Sequence, residues 1–178
     1  MSEKKPPVST RKGDDGTTTL MGSGRIGKDD PRIDVLGDLD EATSFIGLAR
    51  SESLASHQDL AATLLELQRL LYRIMGDVAM PQEDNFTGPE DVKLVDGALE
   101  NWRDRTELPT EFVVPGETKL GATLDVARSV SRRAERKLVA AGYATAHPDA
   151  VRCVNRLSDV LYIAARNADG KLMPSKES

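Results

Sequence analysis

The chain has 178 residues, which is enough for one domain with a substantial apolar core and too few for two domains of typical size. Its 24 Lys and Arg against 29 Asp and Glu give a net charge of −5, so a nucleic-acid partner and a membrane partner are both disfavoured. One cysteine and two histidines exclude an internal disulfide and a Cys/His zinc site, and the lack of an apolar stretch of about 20 residues or of a signal segment predicts a cytoplasmic protein.

Both ends of the chain are polar. Residues 1–9 contain two prolines and residues 171–178 are polar, so we expect flexible tails around one domain spanning residues 10–170. Residues 10–30 are dense in Gly, Thr and Asp, which favours an ordered loop over a helix or a strand. A loop of this length usually has a function.

Apolar spacing predicts five helices after this loop. The first helix begins after Pro31, and the second extends from Leu60 to the residues before Pro81, because proline cannot continue a helix. The third runs from Pro89 to about Arg105 and the fourth from about Thr118 to Ala141, with Gly142 just beyond its end. The fifth runs from about Pro148 to Asn167. The residues expected to face the core are Leu36, Leu39, Thr43 and Ile46; Leu60, Leu64, Leu67, Leu71, Ile74 and Val78; Val92, Val95, Leu99 and Trp102; Leu120, Leu124, Ala127, Ser131, Ala134 and Leu138; and Val151, Val154, Ser158, Leu161 and Ala165.

Between the third and fourth helices, residues 108–117 contain two prolines and are predicted to be extended. No alternating strand pattern of useful length is present. The predicted fold is therefore an all-α five-helix bundle entered by an ordered glycine-rich N-terminal loop.

The loop contains Gly22-Ser-Gly24-Arg-Ile-Gly27-Lys28, which matches G-x-G-x-x-G and most of a Walker A motif. Both motifs require a preceding buried strand and a helix that starts at the motif, and Asp29 stands where a Ser or Thr would hold magnesium, so neither nucleotide-binding fold is predicted. Backbone amides and cations could still be directed at phosphates, and a solvated loop is an equal alternative. The cations are Arg11, Lys12, Arg25 and Lys28.

The fourth helix places Arg128, Arg132 and Glu135 within about 60° of one another, at the edge of its apolar stripe. An arginine at such an edge is half-buried and needs a partner. Phosphate and Glu135 are two candidates, and a salt-bridged helix face is the simpler alternative.

The last helix has a similar polar edge, formed by Asn155, Asp159, Tyr162 and Arg166, and the two helices could share a polar cleft. An amide such as that of Asn155 suits a site crowded with phosphate oxygens and magnesium, although it could also bond a neighbouring helix.

Two further residues are candidates for ligand contact or core packing. On the first helix Asp40 shares a face with glycines, so that either a ligand or a packed helix approaches the backbone there. Phe112, in the extended segment, is expected to fill the core.

Four segments, taken in this order, resemble the PduO-type ATP:cob(I)alamin adenosyltransferase family. They are Thr10 to Leu20, Asp30-Pro-Arg32 through Asp40-Glu41, Arg128 to Arg136, and Asn155-Arg-Leu-Ser-Asp159. The resemblance extends from about residue 10 to 167. Its most specific part is the Arg-Arg-Ala-Glu-Arg block followed by Asn-Arg-Leu-Ser-Asp.

This resemblance implies transfer of the 5′-deoxyadenosyl group of ATP to cob(I)alamin, giving adenosylcobalamin and triphosphate. Cobalt is the nucleophile, so the protein needs no nucleophile or general base of its own. The catalytic groups would be Arg132 and Lys28, which stabilise charge on the leaving triphosphate. The resemblance also implies a homotrimer with ATP between subunits, Mg²⁺ on the phosphates near Asn155, and a reductase that supplies the electron.

The resemblance assigns residue roles as well. Asp40 and Arg128 would form a salt bridge between subunits, and Phe112 would lie beside the corrin ring and exclude the lower axial ligand of cobalt. ATP contacts would come from the loop of one subunit and from two helices of its neighbour; they are Thr10, Arg11, Lys12, Gly13, Gly16, Thr18 and Lys28 from the loop, and Arg132, Glu135, Arg136 and Asn155 from the helices.

Three features depart from the family pattern: Thr43 where Asn is frequent, Glu117 where Gly is frequent, and a shorter polar tail from Lys171. All three affect the corrinoid half more than the ATP half. The alternative function is therefore a trimeric ATP- or corrinoid-binding regulatory protein with weak or lost transferase activity.

Overall fold

The structure, a computed structural model, describes residues 11–21, 24–81 and 85–175. The expected tail at residues 1–9, the candidate ligand contact Thr10, and residues 176–178 lie outside these ranges. In chain order the elements are β1 (Thr17–Leu20), β2 (Gly24–Gly27), α1 (Pro31–Ser53), α2 (Gln58–Ala79), α3 (Pro89–Asp104), β3 (Val113–Val114), α4 (Lys119–Ala140), α5 (Tyr143–Ala146), α6 (Pro148–Asp169) and β4 (Met173–Pro174).

The five predicted helices are confirmed as α1, α2, α3, α4 and α6. The apolar stripes predicted for α2 and α4 are buried throughout, and the other stripes are buried apart from a few half-buried members, Leu36, Val92, Leu99 and Val151. Helix α4 packs against α6 and α1, while α2 packs on α1 and α3 on α6. One core therefore runs through the bundle, with α4 at its centre.

Side-chain caps fix where two of these helices begin. Asp30 accepts a hydrogen bond from the backbone N–H of Arg32 at 2.9 Å, directly before Pro31 at the first helical position of α1. The Arg32 guanidinium also donates to this carboxylate and lowers the pKa of Asp30 to about 2. At α4, the Thr118 hydroxyl accepts from the N–H of Gly121 at 2.9 Å.

Helix α5 was not predicted. Gly142 ends α4 with a left-handed backbone (φ +88°), as its expected role beyond the helix end requires. The chain then forms the single turn Tyr143–Ala146 before α6. Four residues are too few for apolar periodicity to reveal a helix.

The prediction of a strandless loop over residues 10–30 was wrong. Strands β1 and β2 form an antiparallel hairpin in which Thr17 lies opposite Gly27 and Leu20 opposite Gly24. Three consecutive threonines favour a strand, but glycines and aspartates on either side concealed the signal. Gly22 and Ser23 of the glycine motif lie outside the described residues. Its described part, residues 24–28, forms a hairpin strand followed by a turn, so these residues form neither a Rossmann nor a P-loop arrangement.

The expectation of a structureless tail from Lys171 also fails for its first residues. Val113 pairs with Pro174 and Val114 with Met173, and the N–H of Ser175 donates to the carbonyl of Phe112 at 2.8 Å. The extended segment at residues 108–117 is confirmed at β3. Its partner strand comes from beyond the end of α6, which no local pattern could indicate.

The one cysteine is fully buried in α6. Burial, together with the nearby charges of Asp91 and Asp149, raises the pKa of the Cys153 thiol to about 12. We therefore expect no reaction with a thiol reagent at pH 8 in the native protein and complete reaction in urea. Rapid labelling of the native protein would show that this part of the core opens readily.

Within the described ranges, no helix is long and apolar enough to span a bilayer.

Candidate functional site

The hairpin presents the first group of predicted ligand contacts. Lys28 Nζ donates to the carbonyl of Gly13 at 2.7 Å, and the N–H of Lys28 donates to the carbonyl of Gly16 at 2.9 Å. Gly16 has a left-handed backbone (φ +81°), which lets the chain turn into β1. The result is a closed turn with the Lys28 ammonium at its surface.

Three further loop residues complete this group. Arg11 and Lys12 are exposed, and Arg11 has a left-handed backbone (φ +56°), a conformation that non-glycine residues rarely adopt. Thr18 lies in β1 opposite Ile26 and is half-buried.

Arg25 does not have the role that loop composition suggested. Its guanidinium donates to both carboxylate oxygens of Asp15 at 3.0 Å, to the Lys12 carbonyl at 2.6 Å and to the Thr17 hydroxyl. These bonds engage the side chain in holding the hairpin. Arg25 is therefore a structural residue of the hairpin.

The second group lies on α4 and α6. Asn155 Nδ2 donates to Glu135 Oε1 at 2.9 Å, which joins the two helices, and Asn155 itself is exposed. Arg136 Nη1 donates to the Arg132 carbonyl at 3.0 Å, and both arginine side chains are exposed. The polar edges of the two helices thus meet at this hydrogen bond.

The polar edge of α6 divides differently from expectation. Asn155 and Asp159 are exposed, whereas Arg166 is buried and its guanidinium lies 5.3 Å from the Tyr162 ring centroid. Arg166 pairs with Asp125 and Asp169. It therefore belongs to the interior of the bundle.

The arginines of the α4 block also fall into two classes. Arg128 Nε pairs with Asp125 at 3.0 Å, and Arg133 pairs with Asp38 and Glu41 of α1, a contact that raises the pKa of Arg133. For these two the salt-bridged interpretation is correct. Arg132 and Arg136 form no ion pair with any described carboxylate.

Phe112 is 88% exposed, so the expectation that it fills the core was wrong. It lies just before β3, on a segment held by backbone bonds to β4 and not by apolar packing. The Phe112 ring is therefore accessible to another molecule.

A groove of about 550 Å³ lies along α4 near this segment. Its walls combine apolar residues, among them Pro115 and Val126, with the charged groups of Asp125, Arg128 and Arg136. Asp40, on the exposed face of α1, forms no ion pair within the described residues.

The departures from the family pattern have identifiable surroundings. Thr43 is buried, donates to the Leu39 carbonyl at 2.8 Å, and its own carbonyl accepts from Gln68 Nε2 at 3.0 Å. It therefore serves the contact between α1 and α2. Glu117 is exposed just before the cap of α4.

Sequence reasoning missed the buried carboxylates beside the site, Asp38 and Asp125. Asp38 accepts from Arg133 at 3.0 Å and from Lys137 Nζ at 3.2 Å, and thereby fastens α1 to α4. A signal existed, since an acidic residue inside an apolar stripe requires a cationic partner. The identity of that partner depends on helix packing, which the sequence does not state.

Comparisons with known proteins agree on one family. The family model described as cobalamin adenosyltransferase matches residues 8–168. The chain is 37% identical over 167 residues to the cobalamin adenosyltransferase of Cupriavidus metallidurans, covering 93% of this chain and 90% of that one. It is 39% identical over 177 residues to the corrinoid adenosyltransferase of Mycobacterium leprae, covering 91% of each.

Solved structures give the same result. A variant of the PduO-type ATP:corrinoid adenosyltransferase of Lactobacillus reuteri, in complex with cobalamin and ATP, superposes with a TM-score of 0.85 at 29% identity, covering 96% of this chain and 100% of that one. Another variant of that protein, in complex with ATP, gives 0.85 at 30% identity, covering 95% and 100%. The chain therefore belongs to the cobalamin adenosyltransferase family.

Proposed function

We propose that this protein transfers the 5′-deoxyadenosyl group of ATP to cob(I)alamin and releases triphosphate. The distribution of unpaired cations carries the proposal. The Lys and Arg side chains that form no ion pair within the described residues are Arg11, Lys12, Lys28, Arg50, Arg132, Arg136 and Lys171. Apart from Arg50 and Lys171, all of these residues are ones that the family resemblance assigns to ATP binding.

A polyanionic ligand explains this distribution. Most other arginines in the described residues have a carboxylate partner, so the free ones are available to phosphate oxygens. Arg132 and Lys28 stabilise the charge that grows on the triphosphate as the bond to the 5′ carbon breaks. The cobalt of cob(I)alamin supplies the electron pair for the new bond, so the protein aligns the two substrates.

Magnesium fits this site as an ion held largely by phosphate. Among the described residues, no group of three or more His, Cys, Asp or Glu could hold a metal. Magnesium commonly combines phosphate and water oxygens with one or two protein oxygens. The amide oxygen of the exposed Asn155 is a suitable protein ligand, and the ion would neutralise charge on the leaving group.

The active assembly in this proposal is a homotrimer with ATP between subunits. Two groups of candidate ATP-binding residues support this assembly, one on the hairpin and one on α4 and α6. Within one chain, over the described ranges, no hydrogen bond or ion pair joins the two groups. Asp40, which forms no ion pair with the described residues of its own chain, would meet Arg128 of a neighbour. The reaction belongs in the cytoplasm, where ATP is plentiful and a reductase can deliver the electron that produces cob(I)alamin.

An anaerobic assay tests the proposal. Reduced cobalamin and ATP are mixed with the protein, and the cob(I)alamin absorbance and the release of triphosphate are followed together. Loss of absorbance with equimolar triphosphate supports the enzyme. Tight binding of ATP and corrinoid without turnover would overturn it and favour the regulatory alternative. Light scattering that gives an active monomer would exclude the trimer.

The proposed pair of Asp40 and Arg128 yields a prediction. Asp40→Asn and Arg128→Ala should each weaken the assembly and slow corrinoid turnover, and the double variant should be less impaired than the sum of the two. A shared contact should appear as a coupling of about 1 kcal/mol or more in trimer dissociation. Strictly additive losses would show that the two side chains do not meet.

A further inference from the structure

A buried chain of alternating charges joins α4 to α6. The Arg166 guanidinium, with its side chain only 2% exposed, donates to Asp125 of α4 and to Asp169 Oδ2 at 3.0 Å. Both carboxylates are themselves buried. Three charged groups thus lie in the core, each paired with the next, and Nε of Arg166 has no hydrogen-bond partner among the described residues.

One end of this chain reaches the segment that carries Phe112. Asp169 Oδ1 accepts hydrogen bonds from the N–H and the hydroxyl of Thr118, each at 3.2 Å, where the extended segment enters α4. Immediately beyond Asp169 the chain forms β4, which pairs with β3 next to Phe112. The Phe112 segment is therefore fastened at both ends to residues around Asp169.

The other end reaches Arg128. Asp125 Oδ1 accepts from Arg128 Nε at 3.0 Å, and the Arg128 side chain is 28% exposed in the groove beside Pro115. The contact uses Nε alone. Within the described residues both terminal nitrogens of the guanidinium are left without a hydrogen-bond partner, so they are available to another molecule.

Charge compensation of Arg166 does not require Asp125, because Asp169 already pairs with it. A second buried carboxylate would be unfavourable unless another cation shared it, and that cation is Arg128. The second buried carboxylate, that of Asp125, is therefore explained by its ion pair with Arg128. This ion pair is also a rigid one, since Arg166 holds the second oxygen of the same carboxylate.

We propose that Asp125 is a positioning residue for the corrinoid half of the site, which orients Arg128 and sets its place relative to the Phe112 segment through Arg166 and Asp169. The inference rests on the proposed function. Arg132 and Arg136 form no hydrogen bond or ion pair with this network among the described residues, although Arg136 lines the same groove, so disturbing the network should affect the corrinoid far more than ATP.

Asp125→Asn tests this by keeping the shape of the side chain and removing its charge. We expect the KM for cob(I)alamin to rise about tenfold, the equivalent of one charge-assisted hydrogen bond, while the KM for ATP changes less than about twofold. Asp149→Asn is the matched control, because Asp149 pairs with Arg152 in the same i,i+3 geometry at 2.9 Å on the far part of α6. That variant should leave both KM values unchanged.

Two further variants separate positioning from stability. Asp125→Glu retains the negative charge beside Arg166 and displaces the carboxylate, so the folded variant should still show a raised corrinoid KM. Adding Asp125→Asn to Arg128→Ala should raise the corrinoid KM no further, because Asp125 acts through Arg128. Equal changes in both KM values, or independent effects in the double variant, would overturn the proposal.

The assay also separates this inference from the proposed function. A wild-type protein that consumes no cob(I)alamin with ATP would overturn both. Normal wild-type turnover together with an unchanged corrinoid KM in Asp125→Asn and Asp125→Glu would overturn the positioning role alone.

Discussion

Arg132→Lys should reduce kcat by about 100-fold or more while the protein folds and assembles as before. The side chain is exposed on α4 and pairs with no described carboxylate, so the substitution removes no contact on which the fold depends. Lysine retains the positive charge but loses the planar fork that binds two phosphate oxygens at once. The loss should therefore appear mainly in kcat, because charge on the leaving triphosphate grows as the reaction proceeds.

Arg152→Lys is a suitable control for this substitution. Arg152 is an exposed helical arginine paired with Asp149 on α6, and its replacement should leave kcat unchanged. Steady-state kinetics with both substrates varied would compare the two proteins. Near-normal turnover by a folded Arg132→Lys protein would show that this arginine does not contact the leaving group.

Among substitutions in α4 that add one methyl group, we expect Gly121→Ala to be the most destabilising. A Cβ at this position would lie 2.0 Å from Asp169 Oδ1 and 2.6 Å from its Cγ. Asp169 cannot withdraw easily, since Arg166 and Thr118 hold its two oxygens. Overpacking and disruption of a buried ion pair together should lower the free energy of unfolding by about 3 kcal/mol.

Gly97→Ala provides the comparison. Gly97 lies on the exposed face of α3, and no atom outside its own helix lies within 4 Å of the position that a Cβ would occupy. Alanine should stabilise α3 by about 0.5–1 kcal/mol through helix propensity. Urea unfolding of both variants measures the difference, and a Gly121→Ala protein as stable as wild type would mean that Asp169 can be displaced freely.

The helices were predictable because their signal is local. The stripe from Leu60 to Val78 repeats every three or four residues, and Pro31 and Thr118 sit at or next to helix starts where capping rules place them. The resemblance to a known family similarly depended on contiguous blocks such as Arg132 to Arg136.

The remaining features depend on partners that are distant in sequence. Strand β3 pairs with β4, and Asp125 meets Arg166, 41 residues away in the chain. Phe112 was misjudged because apolar residues are usually buried, and only its backbone environment shows that it is held in solvent. The hairpin was missed since Arg25 and Asp15, which stabilise it, lie on either side of a glycine-rich stretch.

The unpaired cations also influence how ATP associates with the protein. The chain is acidic overall, with a net charge of −5, yet its free guanidinium and ammonium groups create local positive potential. At physiological ionic strength screening limits electrostatic influence to about 8 Å, so an approaching polyanion is hardly repelled by the distant carboxylates and responds mainly to the nearby cations. Cellular salt thus favours the encounter of an acidic protein with a polyanionic substrate, and in dilute buffer the long-range repulsion would oppose the local attraction.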